Sequence, residues 1–139
     1  MWTDLPGASD LQPVYLTTLV DAIAANSRAE LGSEVTGAGK RPEIIGNKTE
    51  GAMILYLLAL GKDYRAERAR VEKVRTFPFT SAKKRMSTVL RTSSGEAPGR
   101  LYTKGSPEAL LDTCGWYMAD DGSAQVRFRD SFWSGMGTL

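Results

Sequence analysis

The sequence predicts an α+β fold, and three stretches carry that expectation. Behind Pro13, the residues Leu16, Leu19, Val20, Ile23 and Ala24 recur at helical spacing and give one apolar face. Ala52 to Leu60 is apolar almost all round, the pattern of a helix buried in a core and too short to cross a bilayer. Met86 to Arg91 alternates as a strand, and Arg100 to Thr103 answers it across a connection rich in Ser, Gly and Pro. With 139 residues the chain suits one domain, since a chain of about 150 residues buries roughly 68–70% of its unfolded surface. Residues 1–12 are expected to be a disordered or cloning-derived lead-in, and 13–139 the domain.

Composition narrows the function classes. Net charge is +2, with acidic and basic residues interspersed, whereas a nucleic-acid binder more typically carries a basic stripe or a domain-wide excess. The single cysteine, Cys114, excludes an intrachain disulfide and favours a reducing compartment. The absence of histidine excludes His-based acid–base work, Ser-His-Asp triads and His-containing zinc sites. No basic-then-apolar leader and no run of about 18 apolar residues is present, so the chain reads as a soluble module of the cytosolic type.

Taken in order, Pro13 suits the first turn of a helix that ends near Asn26-Ser27. Gly32 to Arg41 reads as a loop. Asn47-Lys48-Thr49 matches a glycosylation sequon, but without a secretory signal it reads better as a cap, Asn47 or Thr49, for the helix Glu50–Leu60. Gly61 sits where a C-terminal cap belongs. Glu50 in the first turn is favoured by the helix dipole; the other reading makes it a hydrogen-bond acceptor for an exocyclic amine. Asp63 to Glu72 has mixed charges and reads as a solvated connector or short helix.

Phe79-Thr80-Ser81-Ala82-Lys83-Lys84-Arg85-Met86 then places an aromatic ring, three consecutive cations and a strand together. Stacking on such a ring is worth about 1–3 kcal/mol per base, and lysines supply charge for phosphate oxygens. An edge strand with solvated charges is the plain alternative. In Lys104-Gly105-Ser106-Pro107-Glu108, Ser106 suits an N-cap, Pro107 the first helical position and Glu108 the first turn. Gly105 leaves room for close approach, and Lys104 would project into the same space. Ala109, Leu110, Leu111 and Cys114 give that helix a buried side, and Gly115 can end it. Trp116-Tyr117-Met118 and Gln125 to Phe128, around Asp120-Asp121-Gly122, read as a hairpin. Residues 130–139 carry no stop signal, so the chain looks cut.

Three motifs now stand in order: Gly46-Asn47-Lys48-Thr49-Glu50 opening an apolar helix, Phe79-x-Ser81-x-x-Lys84-x-Met86-Ser87, and Lys104-Gly105-Ser106-Pro107-Glu108. Together they resemble the nucleotide-binding (N) domain of P-type cation-transporting ATPases, most of all the plasma-membrane type of calcium pump, from about Leu16 to Arg129. The resemblance implies a twisted antiparallel sheet of about six strands with helices packed against it. It also implies a nucleotide site of Glu50, Phe79, Lys84, Met86, Lys104 and Gly105, with Phe79 stacking on adenine, Glu50 on the adenine side, and Lys84 and Lys104 lining the pocket. Met86 and Ser87 read equally well as strand and core residues, and Cys114 as a small buried hydrophobe.

The implied ligand is ATP, with Mg2+ on the phosphates held mainly outside this domain, and a small phosphate contribution to binding. The implied partners are the phosphorylation and actuator domains of the same pump, at the cytosolic face of the plasma membrane or of a calcium-store membrane. No nucleic acid or direct membrane contact is expected. The full pump would be an ATP-driven translocase and hydrolase; the fragment, monomeric, would bind nucleotide without catalysis. Lys83 and Arg85 depart from the family pattern, the phosphorylation motif Asp-Lys-Thr-Gly is absent, and a family segment beyond Leu139 that supplies another arginine is missing. The alternatives are the N domain of another cation pump, a nucleic-acid module built on Phe79 and the three cations, and a protein-interaction domain.

Overall fold

The computed structural model describes residues 5–32, 42–91, 99–119 and 121–126. Helices and antiparallel strands alternate, an α+β fold. Helix α1 (Pro13–Ala25) starts with proline at its first position and ends at Asn26, as its periodicity predicts. Two short strands, β1 (Glu30–Leu31) and β2 (Ile44–Ile45), pair antiparallel and lead into α2 (Lys48–Ala59). Asn47 caps α2 by accepting from the Glu50 N–H at 3.0 Å. At the far end Gly61, at φ 72°, closes the helix while Lys62 N donates to Leu57 O and Gly61 N to Leu58 O, both at 2.9 Å.

Val20, Ile23 and Ala24 of α1 meet Ile54 and Leu57 of α2 in the core, joined by Ala29, Leu31, Leu60 and Tyr64. Helix α2 is less enclosed than its apolar sequence predicts: Leu58 is 42% exposed and Ala59 faces outward. Leu5, Pro6 and Gly7 lie along Leu55, Tyr56, Ala59 and Leu60, and the Tyr56 hydroxyl donates to Pro6 O at 2.8 Å.

Of the two readings of the charged stretch after α2, the short helix holds and the solvated connector does not. The stretch forms α3 (Tyr64–Arg70), capped by Asp63, with Tyr64 fully buried. The Tyr64 hydroxyl donates to Glu30 Oε2 and accepts from Leu31 N. Arg68 donates to Ala24 O, Ser27 O and Ala29 O and pairs with Glu30, while its guanidinium lies 4.8 Å from the Tyr64 ring centre. These donors satisfy carbonyls that the end of α1 leaves open, so α3 fixes the path of residues 24–31.

Strands β3 (Lys73–Thr80), β4 (Arg85–Leu90) and β5 (Arg100–Gly105) form an antiparallel sheet with β4 central. A short helix α4 (Pro107–Leu111) and a hairpin of β6 (Trp116–Met118) and β7 (Ala124–Val126) follow. Among the described residues the strands make three separate sheets rather than one sheet of about six. Met86, Thr88 and Leu90 are the buried face of β4, as their alternation predicts. Asn26, at the end of α1, ties helix to sheet: its Nδ2 donates to Tyr102 O at 3.1 Å and its Oδ1 accepts from the Thr88 hydroxyl at 2.8 Å.

Two expectations fail at α4. The helix stops at Leu111, four residues before Gly115, and carries no buried residue; Cys114 is exposed. Five residues are too short to present an enclosed face, and turn bonds from Thr113 N and Cys114 N end the helix instead. The expected loop at 33–41, the connection at 92–98 and residues 127–139, with Phe128, lie outside the described residues.

The Asn26 junction is buried and polar, so its removal leaves the Thr88 hydroxyl without its acceptor and takes the side-chain donor from the Tyr102 carbonyl. Asn26→Ala is expected to lower stability by about 2–3 kcal/mol, read as a fall in the urea midpoint at unchanged slope.

Candidate functional site

The site begins with a register shift. Phe77 pairs with Ser87 and Thr80 with Arg85, so β3 carries one residue more than β4 between those pairs. The extra residue falls at Pro78-Phe79, where a proline, having no N–H to give a ladder, is tolerated. A bulge re-aims side chains. In an unbroken strand Phe77 and Phe79 would share a face. Here Phe77 lies on the outer face under the Arg75 guanidinium, 4.7 Å from its ring centre, while Phe79 turns to the side of Met86. The Phe79 ring is left 58% exposed, on the wall of a cleft.

That cleft, of about 260 Å3, is lined by Asn47, Thr49, Glu50, Met53, Phe79, Met86, Lys104 and Gly105. Lys104 stands directly across from Met86 in the β4–β5 ladder and projects from the same face. Asn47, Glu50 and Met53 come from successive positions three apart on α2, hence from one side of that helix. Such a volume lies just under the roughly 300–1,000 Å3 of typical small-molecule sites. It suits a base and part of a sugar rather than a whole nucleoside triphosphate.

Glu50 holds the cleft together. Its Oε1 accepts from Lys104 Nζ at 2.6 Å, and its Oε2 accepts from Arg28 N at 2.7 Å and Ala29 N at 3.0 Å. Burial alone would raise this carboxyl. The Lys104 ammonium and the two backbone N–H groups outweigh burial and hold it below its ordinary 4.5. Both readings of Glu50 from sequence are therefore incomplete. It sits in the first turn of α2, but its side chain spends itself on segments 21 or more residues away.

Five of the six residues expected at a nucleotide site converge here: Glu50, Phe79, Met86, Lys104 and Gly105. Lys84 does not line the cleft. It occupies the β3–β4 turn at φ 49° with its side chain exposed, and contributes its backbone: its N–H donates to Thr80 O and its carbonyl accepts from Ser106 N at 3.0 Å. Gly105 is required by that turn, since a Cβ there would lie 2.3 Å from the Lys84 carbonyl oxygen. Ser106 caps α4 and Pro107 opens it, as expected. Sequence reading missed Asn47, Thr49 and Met53 as wall residues, although the spacing of Asn47 and Met53 from Glu50 signals a shared face. It also missed the backbone of Arg28 and Ala29, for which no local signal exists.

Residues 15–130 match the family model described as P-type ATPase, cytoplasmic domain N. A calcium-transporting ATPase, PAT1, of Dictyostelium discoideum is 41% identical over 120 residues, covering 86% of this chain and 10% of that protein. Plasma membrane calcium-transporting ATPase 3 of Rattus norvegicus is 36% identical over 81% of this chain and 9% of its own length. Calcium-transporting ATPase 10, plasma membrane-type, of Oryza sativa subsp. japonica is 32% identical over 83% of this chain and 11% of its own. The chain thus spans about a tenth of the length of these curated relatives. With the matched segment running from α1 past β7 and taking in every wall of the cleft, the chain belongs to the family of P-type ATPase cytoplasmic N domains.

Proposed function

We propose that this chain is the ATP-binding domain of a calcium-transporting P-type ATPase, holding ATP by its base and presenting the phosphates to an aspartate on a separate domain. The observation that carries the reading is Phe79, turned by a bulge onto the wall of a cleft whose other walls are Met86 and the Glu50–Lys104 pair. An exposed aromatic ring is an unusual thing to aim into a cleft unless a flat partner lies on it. The Met86 and Met53 side chains give an adaptable apolar floor for the same partner.

In the whole pump the acceptor aspartate would attack the γ-phosphorus, giving an aspartyl phosphate and ADP. Magnesium would travel on the phosphate oxygens and be held mainly by the phosphorylation domain. This chain's part would be to bind and orient, with the phosphorylation and actuator domains as partners and the cytosolic face of a membrane as the place. No helix among the described residues is long and apolar enough to cross a membrane; moving calcium, the ion named for the relatives, would fall to the pump's membrane domain. One stack and one or two polar contacts supply about 4–5 kcal/mol, a dissociation constant of roughly 0.2–1 mM.

ATP added to the 139-residue chain should move amide resonances of Glu50, Phe79 and Lys104, and movement confined to other regions would refute the site. Phe79→Ala should weaken binding by about 1–3 kcal/mol with the fold intact, because the ring is more than half exposed. The cleft should also be sensitive to acid in one direction. Glu50 is held below its ordinary 4.5 in the folded chain, so its contribution is complete above that value and drains away as pH falls through the folded value. Hydrogen-exchange protection factors at the Arg28 and Ala29 amides, corrected for the intrinsic pH dependence of exchange, and ATP affinity should hold from neutral pH to the ordinary 4.5 and fall below it.

A further inference from the structure

We infer that a second cleft, at the opposite end of β4 from Phe79, binds a phosphoryl dianion through Arg91, Arg100 and the Tyr102 hydroxyl. This goes beyond the nucleotide reading and does not rest on it.

The two clefts share no lining residue. In the β4–β5 ladder Met86 pairs with Lys104 and Leu90 with Arg100, so the two pairs stand about 13 Å apart along the strands. Arg100, Tyr102 and Lys104 alternate onto one face of β5. One end of that face serves the first cleft and the other end the second.

The second cleft has a volume of about 240 Å3. The end of α3 supplies Arg70 and Val71, and the end of β4 supplies Leu90 and Arg91. Arg100 and Tyr102 come from the start of β5, and Asp21 of α1 completes the wall. Three guanidiniums thus converge on a space lined by one carboxylate.

The carboxylates of this region are unevenly shared. Asp21 and Glu67 both go to Arg70, at 2.8 and 2.9 Å. Glu72, outside the lining, takes Arg91 at 2.9 Å, in a pair whose side chains are both more than half exposed. Solvent screens such a pair, and it yields readily to a better acceptor. Arg100 meets no carboxylate among the described residues; its guanidinium donates to the Tyr102 hydroxyl across a long 3.4 Å.

A guanidinium fork matches the oxygens of a phosphoryl group two at a time. The forks of Arg91 and Arg100 with the Tyr102 O–H offer about five donors, beyond the roughly four lone-pair sites of a carboxylate and within the capacity of three terminal phosphoryl oxygens. Arg70, held by two carboxylates, adds its field rather than a contact. Val71 and the Tyr102 ring give apolar surface to whatever carries the phosphate. The phosphoryl group can therefore arrive as free phosphate or on a small ester.

Amide titrations of the 139-residue chain with inorganic phosphate and with ethyl phosphate, at a constant ionic strength of about 0.15 M, test the site and separate the two sources. Both ligands should move Leu90, Arg91, Arg100 and Tyr102 saturably, with dissociation constants of about 10 mM or less, and leave Glu50 and Phe79 in place. Ethyl phosphate binding about threefold tighter or more identifies the ester as the ligand, and equal or weaker binding identifies free phosphate. Arg100→Gln should weaken either ligand about tenfold and Tyr102→Phe about threefold. Lys83→Gln, which removes an exposed cation in the β3–β4 turn, should change neither.

Shifts that do not saturate, or that fall on exposed lysines and arginines all over the surface, overturn the inference. So does an Arg100→Gln chain that folds and keeps the native affinity. If that variant fails to fold, the position and saturation of the native shifts decide. A chain that binds ATP at Glu50 and Phe79 but phosphate nowhere loses only the second cleft. One that binds phosphate at Arg100 but no ATP loses only the first.

Discussion

One carboxylate sets the geometry on which the rest depends. Through three hydrogen bonds Glu50, at the start of α2, joins the segment after α1 and the end of β5, partners that lie 21 to 54 residues from it along the chain. An ion pair removed from water commonly loses in desolvation what it gains in attraction. Here the balance tips the other way, because every acceptor position in use has a well-placed donor, and the carboxyl stays below its ordinary value in spite of burial. Hydrogen bonds to a charged group are worth about 1.5–3 kcal/mol each, enough to decide where three segments meet.

That junction is supported from behind. Arg68 and Tyr64 of α3 collect the carbonyls and the carboxylate of residues 24–30, which holds the Arg28 and Ala29 amides in line with Glu50. Asn26 fastens the same stretch to the sheet through Thr88 and Tyr102, and Lys104 lies two residues beyond Tyr102 on the same strand and the same face. The core is thus a packed back wall, while Phe79, on the opposite wall of the cleft, and the neighbouring β3–β4 turn are exposed. Gly105 lets that turn approach β5 closely enough for the Lys84 carbonyl to accept from Ser106, and so closes the cleft at its edge.

What was legible in the sequence was local. Pro13, Asn47, Gly61 and the Ser106-Pro107 pair mark helix ends because capping is a matter of neighbours in the chain, and the alternation of Met86, Thr88 and Leu90 is a property of one strand. The convergence of Glu50, Phe79, Met86, Lys104 and Gly105 was legible only through motif order, since no single segment contains it. The rest depends on contacts between distant segments. Arg68 reads as a solvated charge because its acceptors are backbone carbonyls 39 to 44 residues away. The turn of Phe79 away from Phe77 depends on pairing with β4 and leaves only Pro78 as its trace. Lys84 was expected to line the pocket from its place in the second motif, whereas the tight turn that brings β4 back leaves its side chain exposed, outside the lining of the cleft. Cys114 and Gly115 were read as the end of a longer α4 than the chain forms.

The central physical claim is that a purine lies flat on Phe79, between that ring and the methionines of the cleft floor. Intermolecular nuclear Overhauser effects between labelled chain and unlabelled ATP test it most directly. Cross-peaks from adenine H2 and H8 to the Phe79 ring protons and to the Met86 or Met53 methyl groups are the predicted result. Cross-peaks from a bound adenine to Trp116 or Tyr117 on the exposed hairpin, with none to Phe79, would contradict it.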